Sequence, residues 1–188
     1  MSSLLNWRFW ISLIVTLIAL SGVGLVIANL IVQPPPEYFR STYFEFALPP
    51  DWTSERQGDE IVCMPPGELL ADAIIILAAK ERSDDDRLSD YRDFLGQPRI
   101  LTPPGGETLE SKVIYVREIV IGDHKWIDAL HFESEVPGYY TRYLATITSH
   151  LGLAATFTAG EDVFEQRNKA FESSIESLEI YQSPSAFN

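Results

Sequence analysis

The hydrophobic pattern divides the chain into a long apolar run near its start and a mixed remainder. Residues 11–32 contain no charged side chain. A helix over this run would be about 33 Å long at about 1.5 Å per residue, which is enough to cross the hydrocarbon core of a bilayer. We therefore predict a transmembrane helix at 11–32, preceded by a short cytoplasmic N-terminus at 1–10 and followed by a proline-rich linker at 33–40.

The charges that flank the apolar run predict its orientation. Arg8 precedes the run without an acidic neighbour, whereas Glu37 and Arg40 follow it and cancel. Because positive charge marks the cytoplasmic side, we expect a single-pass protein of the cell (inner) membrane with a periplasmic or otherwise extracytoplasmic domain. The alternative is a cleaved signal peptide ending near Val26 and Ala28. The apolar run is longer than the usual signal-peptide core, which favours an uncleaved signal-anchor.

Small residues lie close together on the predicted membrane helix. Ser21, Gly24 and Ala28 are spaced so that a second helix could approach their backbone closely. Small residues are also frequent in membrane helices generally, and for a single such pair that is the favoured explanation.

Alternating polar and apolar residues predict a series of β-strands in the remainder. Residues 73–79 are apolar on both faces, so they predict an interior strand covered on both sides. The turn-forming residues Gly122–Asp123 and Pro137–Gly138 predict hairpins, so the strands on either side of each turn should be antiparallel neighbours. The predicted strands span 43–48, 59–64, 73–79, 112–121, 124–133, 139–148 and 153–158, with a short last strand near 178–180.

Two helices interrupt these strands. The first is predicted to open at Ser83 and to bury Leu88, Tyr91 and Leu95. The second is predicted to open at a capping box formed by Thr158 and Glu161, with apolar positions continuing to residue 175. The sequence also predicts a mobile loop at 103–106 and a flexible tail at 182–188.

The acidic composition of the chain restricts the kinds of partner that it can bind. The chain has 27 acidic and 14 basic residues and a net charge of −13, and every acidic residue follows residue 32. This charge argues against binding to nucleic acid, whose affinity depends on neutralised phosphates, and against contact with an anionic lipid surface. Cys63 is the only cysteine, so no internal disulfide is expected.

The order of elements and two short motifs resemble the PsbP-like superfamily, which includes the extrinsic P protein of photosystem II and a Ran-binding nuclear import factor. The resemblance spans residues 41–181 and implies an α+β fold, an α/β/α sandwich with a mainly antiparallel sheet. It also implies a non-catalytic protein that binds, stabilises or helps assemble larger complexes. No ligand-binding residue of the family transfers to this sequence. The matching residues are Phe44, Phe46, Leu48, Pro49 and Trp52 at the front and Phe171, Ser174, Ile175 and Leu178 at the back.

No arrangement of residues predicts catalysis, a cofactor or a metal site. His124, His131 and His150 have no partners at ligand spacing, and the consecutive aspartates 84–86 lack the alternation of calcium ligands. The sequence contains no phosphate-binding glycine loop and no nucleophile elbow. We therefore expect that the protein is not an enzyme. A hydrolase would need a Ser/His/Asp cluster assembled from distant segments.

Aromatic residues concentrate on the predicted hairpins and supply the only candidate partner patch. Tyr139 and Tyr140 lie beside the turn at Pro137–Gly138, and Trp126 lies on the preceding strand. Packing within the core, across strands or at the turn is the favoured explanation, and a partner patch is the alternative.

The leading functional hypothesis is a non-catalytic, single-pass membrane-anchored accessory or assembly subunit of a larger membrane protein complex. It would display its acidic domain outside the cytoplasm. The alternative is an extracytoplasmic module that binds a small apolar or lipid-like molecule between sheet and helices.

Overall fold

The computed structural model describes residues 36–67, 72–102 and 107–181. Several predictions fall outside these ranges: the apolar run at 11–32, the helix-packing residues Ser21, Gly24 and Ala28, the loop at 103–106 and the tail at 182–188.

The described residues contain twelve strands and two helices. In chain order they are β1 (Tyr38–Arg40), β2 (Phe44–Ala47), β3 (Thr53–Gln57), β4 (Glu60–Met64), β5 (Ala73–Glu81), α1 (Leu88–Leu95), β6 (Ile100–Leu101), β7 (Leu109–Glu110), β8 (Lys112–Ile121), β9 (His124–Phe132), β10 (Tyr139–Ile147), β11 (Leu151–Gly160), α2 (Phe164–Glu176) and β12 (Glu179–Ile180). The eight predicted strands are confirmed, with differences of at most two residues at their ends.

Seven strands form the main sheet in the order β3-β4-β5-β11-β10-β9-β8, and every neighbouring pair is antiparallel. β5 lies between β4 and β11, which confirms the predicted interior strand. A second sheet has the order β1-β2-β12, and β6 pairs with β7 in a short hairpin.

The larger core lies between one face of the main sheet and α2 together with the second sheet. Phe157 of β11 and Phe171 of α2 stack with their ring centroids 5.0 Å apart. Trp126 and Leu144 continue this core toward β8. On the other face, Leu95 of α1 packs with buried residues of β9 and β10 in a smaller core.

The predicted fold class, an N-terminal transmembrane helix followed by an α/β/α sandwich, is wrong. The described residues are mainly antiparallel sheet, with 51% in strands and 15% in helices. One face is covered by α2 together with the second sheet, and the other is covered by α1, which has only eight residues. One covering layer is therefore part sheet, and the other is a single short helix. Strands that are apolar on both faces indicate that both faces are covered, but they do not identify the cover. Within the described residues, no helix has the length and apolar character needed to cross a membrane.

Both predicted helix starts were also wrong. α1 begins at Leu88 because Asp86 forms a separate turn, in which its carboxylate accepts a hydrogen bond from the Ser83 N–H at 2.8 Å. α2 begins at Phe164, while Thr158 stays in β11 and donates to the hydroxyl of Thr141. Thr158 is thus engaged within the sheet and does not cap the helix.

Candidate functional site

A cleft opens where α2 diverges from the last strands of the main sheet. α2 packs on β11, β5 and β2, so it leaves the same face of β8 and β9 only partly covered. The cleft has a volume of about 280 Å³. Its apolar floor and walls come from Ile119 and Ile121 of β8, Leu144 of β10, and Phe171 and Ile175 of α2.

The side chains of the cleft follow from strand register. Successive side chains of a strand point to opposite faces, so Arg117, Ile119 and Ile121 share the face that looks toward α2. Arg117 lies directly opposite Asp128 of β9, and Ile119 lies opposite Trp126. One charged residue and two apolar residues of β8 therefore follow each other along the same face of the sheet.

Arg142 forms the inner polar wall of the cleft. Its Nε donates to Oδ1 of Asp128 at 2.8 Å and its Nη2 donates to Oδ2 at 3.1 Å. Its Nη1 donates to Oδ1 of Asn168 at 3.0 Å and to Oε1 of Glu172 at 2.7 Å. Burial alone would lower the pKa of Arg142, but the hydrogen bond and charge of Asp128 and the hydrogen bond of Glu172 raise it above its ordinary value. The guanidinium is thus a permanent, fully engaged cation.

Asp128 is the centre of this network. Its side chain is fully buried and also accepts hydrogen bonds from Nε and Nη2 of Arg117, at 3.0 and 2.8 Å. The hydroxyl of Tyr115 lies 3.4 Å from its Oδ1. A buried carboxylate with several charge-assisted partners is well compensated and holds its neighbours in place. The network therefore joins β8, β9, β10 and α2 at the cleft.

The rim of the cleft is acidic. Glu172 and Glu176 are four residues apart on α2, so they lie on the same face of the helix. Glu172 shares one oxygen with Arg142, whereas Glu176 is exposed and has no hydrogen-bond or ion-pair partner within the described residues. The cleft can thus bind a partner that places an apolar side chain on the floor and a cationic side chain at the acidic rim.

The cleft borders the outer edge of β8. This ten-residue strand pairs only with β9 among the residues that the structure describes. The opposite edge of the sheet, β3, has only five residues, all polar. The two edges of the main sheet therefore differ sharply in length and composition.

The aromatic residues predicted as a partner patch do not form one surface. Trp126 is 1% exposed and belongs to the large core. Tyr140 packs between Phe132 and Phe164, with ring centroids 4.8 and 5.0 Å away. Tyr139 is partly exposed beside the end of β11 and points to the opposite face from Tyr140.

His131, His150 and Cys63 are not among the residues that line the cleft, whereas His124 lies opposite the cleft residue Ile121 at the start of β9. His131 is buried on the face of β9 that packs against α1, where its Nε2 lies 2.8 Å from the Leu95 carbonyl and its Nδ1 lies 3.3 Å from Ser111 Oγ. Burial lowers the pKa of His131 and raises the pKa of Cys63 to about 12. Ranges 36–67, 72–102 and 107–181 contain no group of His, Cys, Asp or Glu residues placed to hold a metal ion.

Sequence reasoning missed the Arg142–Asp128 network. The available signal was a charge in the middle of each of two mostly buried strands, β9 and β10. Charged residues are rarely buried unless they are paired, so each charge implied the other. Their pairing depends on the register of β9 and β10, which the sequence alone does not specify.

No family model matches this sequence, and no curated protein matches it. Solved structures do match. Cyanobacterial PsbP from Synechocystis sp. PCC 6803 has 13% identity and a TM-score of 0.55, over 80% of this chain and 95% of that one. LpqN from Mycobacterium tuberculosis, described as involved in cell envelope biogenesis, has 13% identity and a TM-score of 0.53, over 79% and 87%.

A protein from Bacteroides thetaiotaomicron VPI-5482 is also similar, with 14% identity and a TM-score of 0.56 over 79% of this chain. The matched region is only half the length of that protein. Identities this low establish the fold alone. The chain has the PsbP-like fold, as the sequence resemblance predicted.

Proposed function

We propose that this protein is a non-catalytic accessory domain that binds a protein partner within a larger membrane-associated assembly, through the cleft between β8 and α2. The observation that carries the proposal is the combination of an apolar floor, an acidic rim and an unpaired strand edge at one place. Apolar anchors surrounded by a polar rim are typical of protein–protein interfaces.

The polar groups of the cleft support a structural role over a catalytic one. Arg142 and Asp128 direct their hydrogen bonds at each other and at neighbouring side chains. A group engaged in this way is poorly placed to move protons to or from a substrate. His131 is buried on the opposite face and Cys63 has a thiol pKa of about 12, so neither supplies a nucleophile or base to the cleft.

The proposed location rests on sequence and on fold. The apolar run at 11–32 supports association with a membrane, and the single basic residue before it supports display of the domain outside the cytoplasm. LpqN, which shares the fold, is described as involved in cell envelope biogenesis. An accessory role at an envelope membrane is consistent with both.

The charge of the chain indicates the kind of partner. A net charge of −13, with Glu172 and Glu176 at the rim, favours a cationic protein surface. Complementary charge raises association rates and selects against wrong partners. Nucleic acid is disfavoured by the same charge.

The test is gentle detergent extraction of the full-length chain from its native membranes, followed by native-mass separation. We expect co-migration with one defined complex that is lost in Glu176→Lys and retained in Glu55→Lys. Both substitutions reverse one exposed acidic charge, but Glu55 lies on β3 at the far edge of the sheet. Migration of the wild-type chain alone, or equal loss in both variants, would contradict the proposal.

A second candidate function is binding of a small apolar or lipid-like molecule in the same cleft. The apolar floor favours it, but a volume of about 280 Å³ lies just below the range of about 300–1,000 Å³ usual for ligand pockets. Native mass spectrometry of the extracted chain distinguishes the two functions, since a bound small molecule adds a defined mass.

A further inference from the structure

We propose that β8 is a docking strand, and that an extended, cationic segment of the partner adds to its outer edge as an eighth strand of the main sheet. The proposal rests on the proposed function and deepens it, because it names how the partner binds and which chemistry it presents. Strand addition is a recognised mode of peptide binding, in which main-chain hydrogen bonds give affinity and alternate side chains give specificity.

The backbone of β8 presents free hydrogen-bonding groups over its second half. In an antiparallel pair, every other residue turns its N–H and C=O away from the neighbouring strand. The two-residue turn after Ile121 makes Ile121 and His124 a hydrogen-bonded pair, with Gly122 at φ 56° in the first turn position. By alternation, Val116, Glu118 and Val120 then direct their backbone groups outward.

The contacts of β9 support this register. Lys125 lies opposite Val120. The carbonyl of Lys125 accepts a hydrogen bond from the hydroxyl of Thr146 on β10 at 2.7 Å, so it points away from β8. Lys125 and Val120 are therefore a pair without mutual hydrogen bonds, and the backbone of Val120 points to the open edge.

The edge of β8 has little protection over residues 115–121, where Arg117 and Glu118 are the only charged residues. Natural edge strands are often short, strongly charged, interrupted by proline or covered by another element. β8 is ten residues long and contains seven valine, isoleucine or tyrosine residues and no proline. A bulge between Val113 and Tyr115 interrupts the first part of the strand, so the regular part spans residues 115–121. Within the described residues no element pairs with this part.

The cleft selects the side chains of the added strand. Those on the α2 side would lie next to Ile119 and Ile121 and within reach of the carboxylates of Glu172 and Glu176. Lysine or arginine at one or two of these positions would pair with the free carboxylate of Glu176. On the other face, Val120 is 69% exposed and would gain an apolar neighbour.

Charge argues against a second copy of this chain as the occupant. Each copy carries −13, and a large net charge keeps proteins apart in solution. Two β8 edges in contact would also bring two sets of acidic rims close together. A cationic segment from a different protein has the complementary charge.

The test uses the full-length chain in mild detergent and a fluorescent peptide of about eight residues, a typical strand length, with alternating valine and lysine. Fluorescence anisotropy measures binding. Two matched peptides are controls: one replaces lysine with glutamate, and one carries N-methyl groups on alternate residues, which removes main-chain donors but keeps every side-chain charge. The protein variants are Val120→Pro, which removes one outward N–H, and Glu55→Lys.

We expect the valine–lysine peptide to bind the wild-type chain and Glu55→Lys equally. N-methylation of the peptide, or Val120→Pro in a chain that retains its near-ultraviolet circular dichroism, should weaken binding at least about tenfold. The glutamate peptide should not bind. The N-methylated peptide tests the same hydrogen bonds with the wild-type protein, so the result does not depend on folding of the proline variant.

Strand addition is overturned if the valine–lysine peptide does not bind, or if the N-methylated peptide binds equally well. It is also overturned if the wild-type chain is a dimer that Val120→Pro converts to a monomer, because a second copy then occupies the edge. If Glu176→Lys loses the native complex but Val120→Pro keeps it, the partner binds at the cleft without adding a strand. That result would support the proposed function and reject strand addition.

Discussion

Arg142 and Asp128 lie on adjacent strands with their charged groups joined by two hydrogen bonds, and both side chains are almost fully buried. The pair links the sheet to α2, because Arg142 also binds Asn168 and Glu172. The shape of the cleft therefore depends on a polar contact at its base.

Removing one member of this pair should destabilise the protein strongly. Arg142→Met leaves the buried carboxylate of Asp128 with only Arg117 and Tyr115, and loss of one partner of a buried pair typically costs about 3–5 kcal/mol. Urea unfolding followed by circular dichroism measures the free energy of unfolding. Arg117→Met is the control, because this side chain is 55% exposed and should cost roughly 1 kcal/mol or less. Equal losses in the two variants would contradict the assigned roles.

His131 should make stability depend on pH. Burial lowers its pKa in the folded chain, so the unfolded chain, with a histidine pKa of about 6.5, binds the proton first as the pH falls. The contribution of neutral His131 to the free energy of unfolding is fully present above about pH 6.5 and decreases below that pH. Unfolding free energies between about pH 7.5 and 5 should therefore decrease less steeply in His131→Gln than in the wild-type chain. Parallel curves would contradict this prediction.

Cys63 should be unreactive in the native protein. The side chain is fully buried and its thiol pKa is about 12, against an ordinary value of 9.0. Since the thiolate is the nucleophile, iodoacetamide at pH 8 should alkylate the folded chain about a thousandfold more slowly than the chain unfolded in urea. Mass spectrometry follows the reaction. Rapid alkylation under native conditions would contradict the burial of Cys63 in β4.

Trp126 should behave as a core residue and not as a binding residue. It is 1% exposed, and truncation of a buried tryptophan to alanine typically costs about 3–5 kcal/mol. Tyr139→Ala, at a partly exposed position, is the comparison and should cost much less. Thermal unfolding of both variants measures the difference. A partner-binding defect in stably folded Trp126→Phe would contradict this assignment.

The strands, their order along the chain and the fold family could be predicted from the sequence, because alternation and turn residues are local signals. Ile74, Ile75, Ile76 and Leu77 marked an interior strand that the structure confirms. The nature of the covering layers could not be predicted, since Phe44 and Phe46 form a second sheet whose third strand, β12, lies more than 130 residues away.

The candidate site was not predicted for a related reason. Aromatic residues such as Trp126 and Tyr140 drew attention, yet both pack into the core. The cleft depends on Arg142, Asp128 and Glu172, which come together only after β9, β10 and α2 are in place. Long-range register, and not local composition, determines this site.

Amide hydrogen exchange on the native assembly tests the central claim most directly. Exchange of the full-length chain is compared between the isolated protein and the co-purified complex. We predict that binding protects the amides of β8 from Val116 to Ile121 and those near Glu176, and leaves the exchange of β3 unchanged. Unchanged exchange in β8, with protection instead at exposed Phe94 and Ile100 on the other side of the sheet, would contradict this prediction.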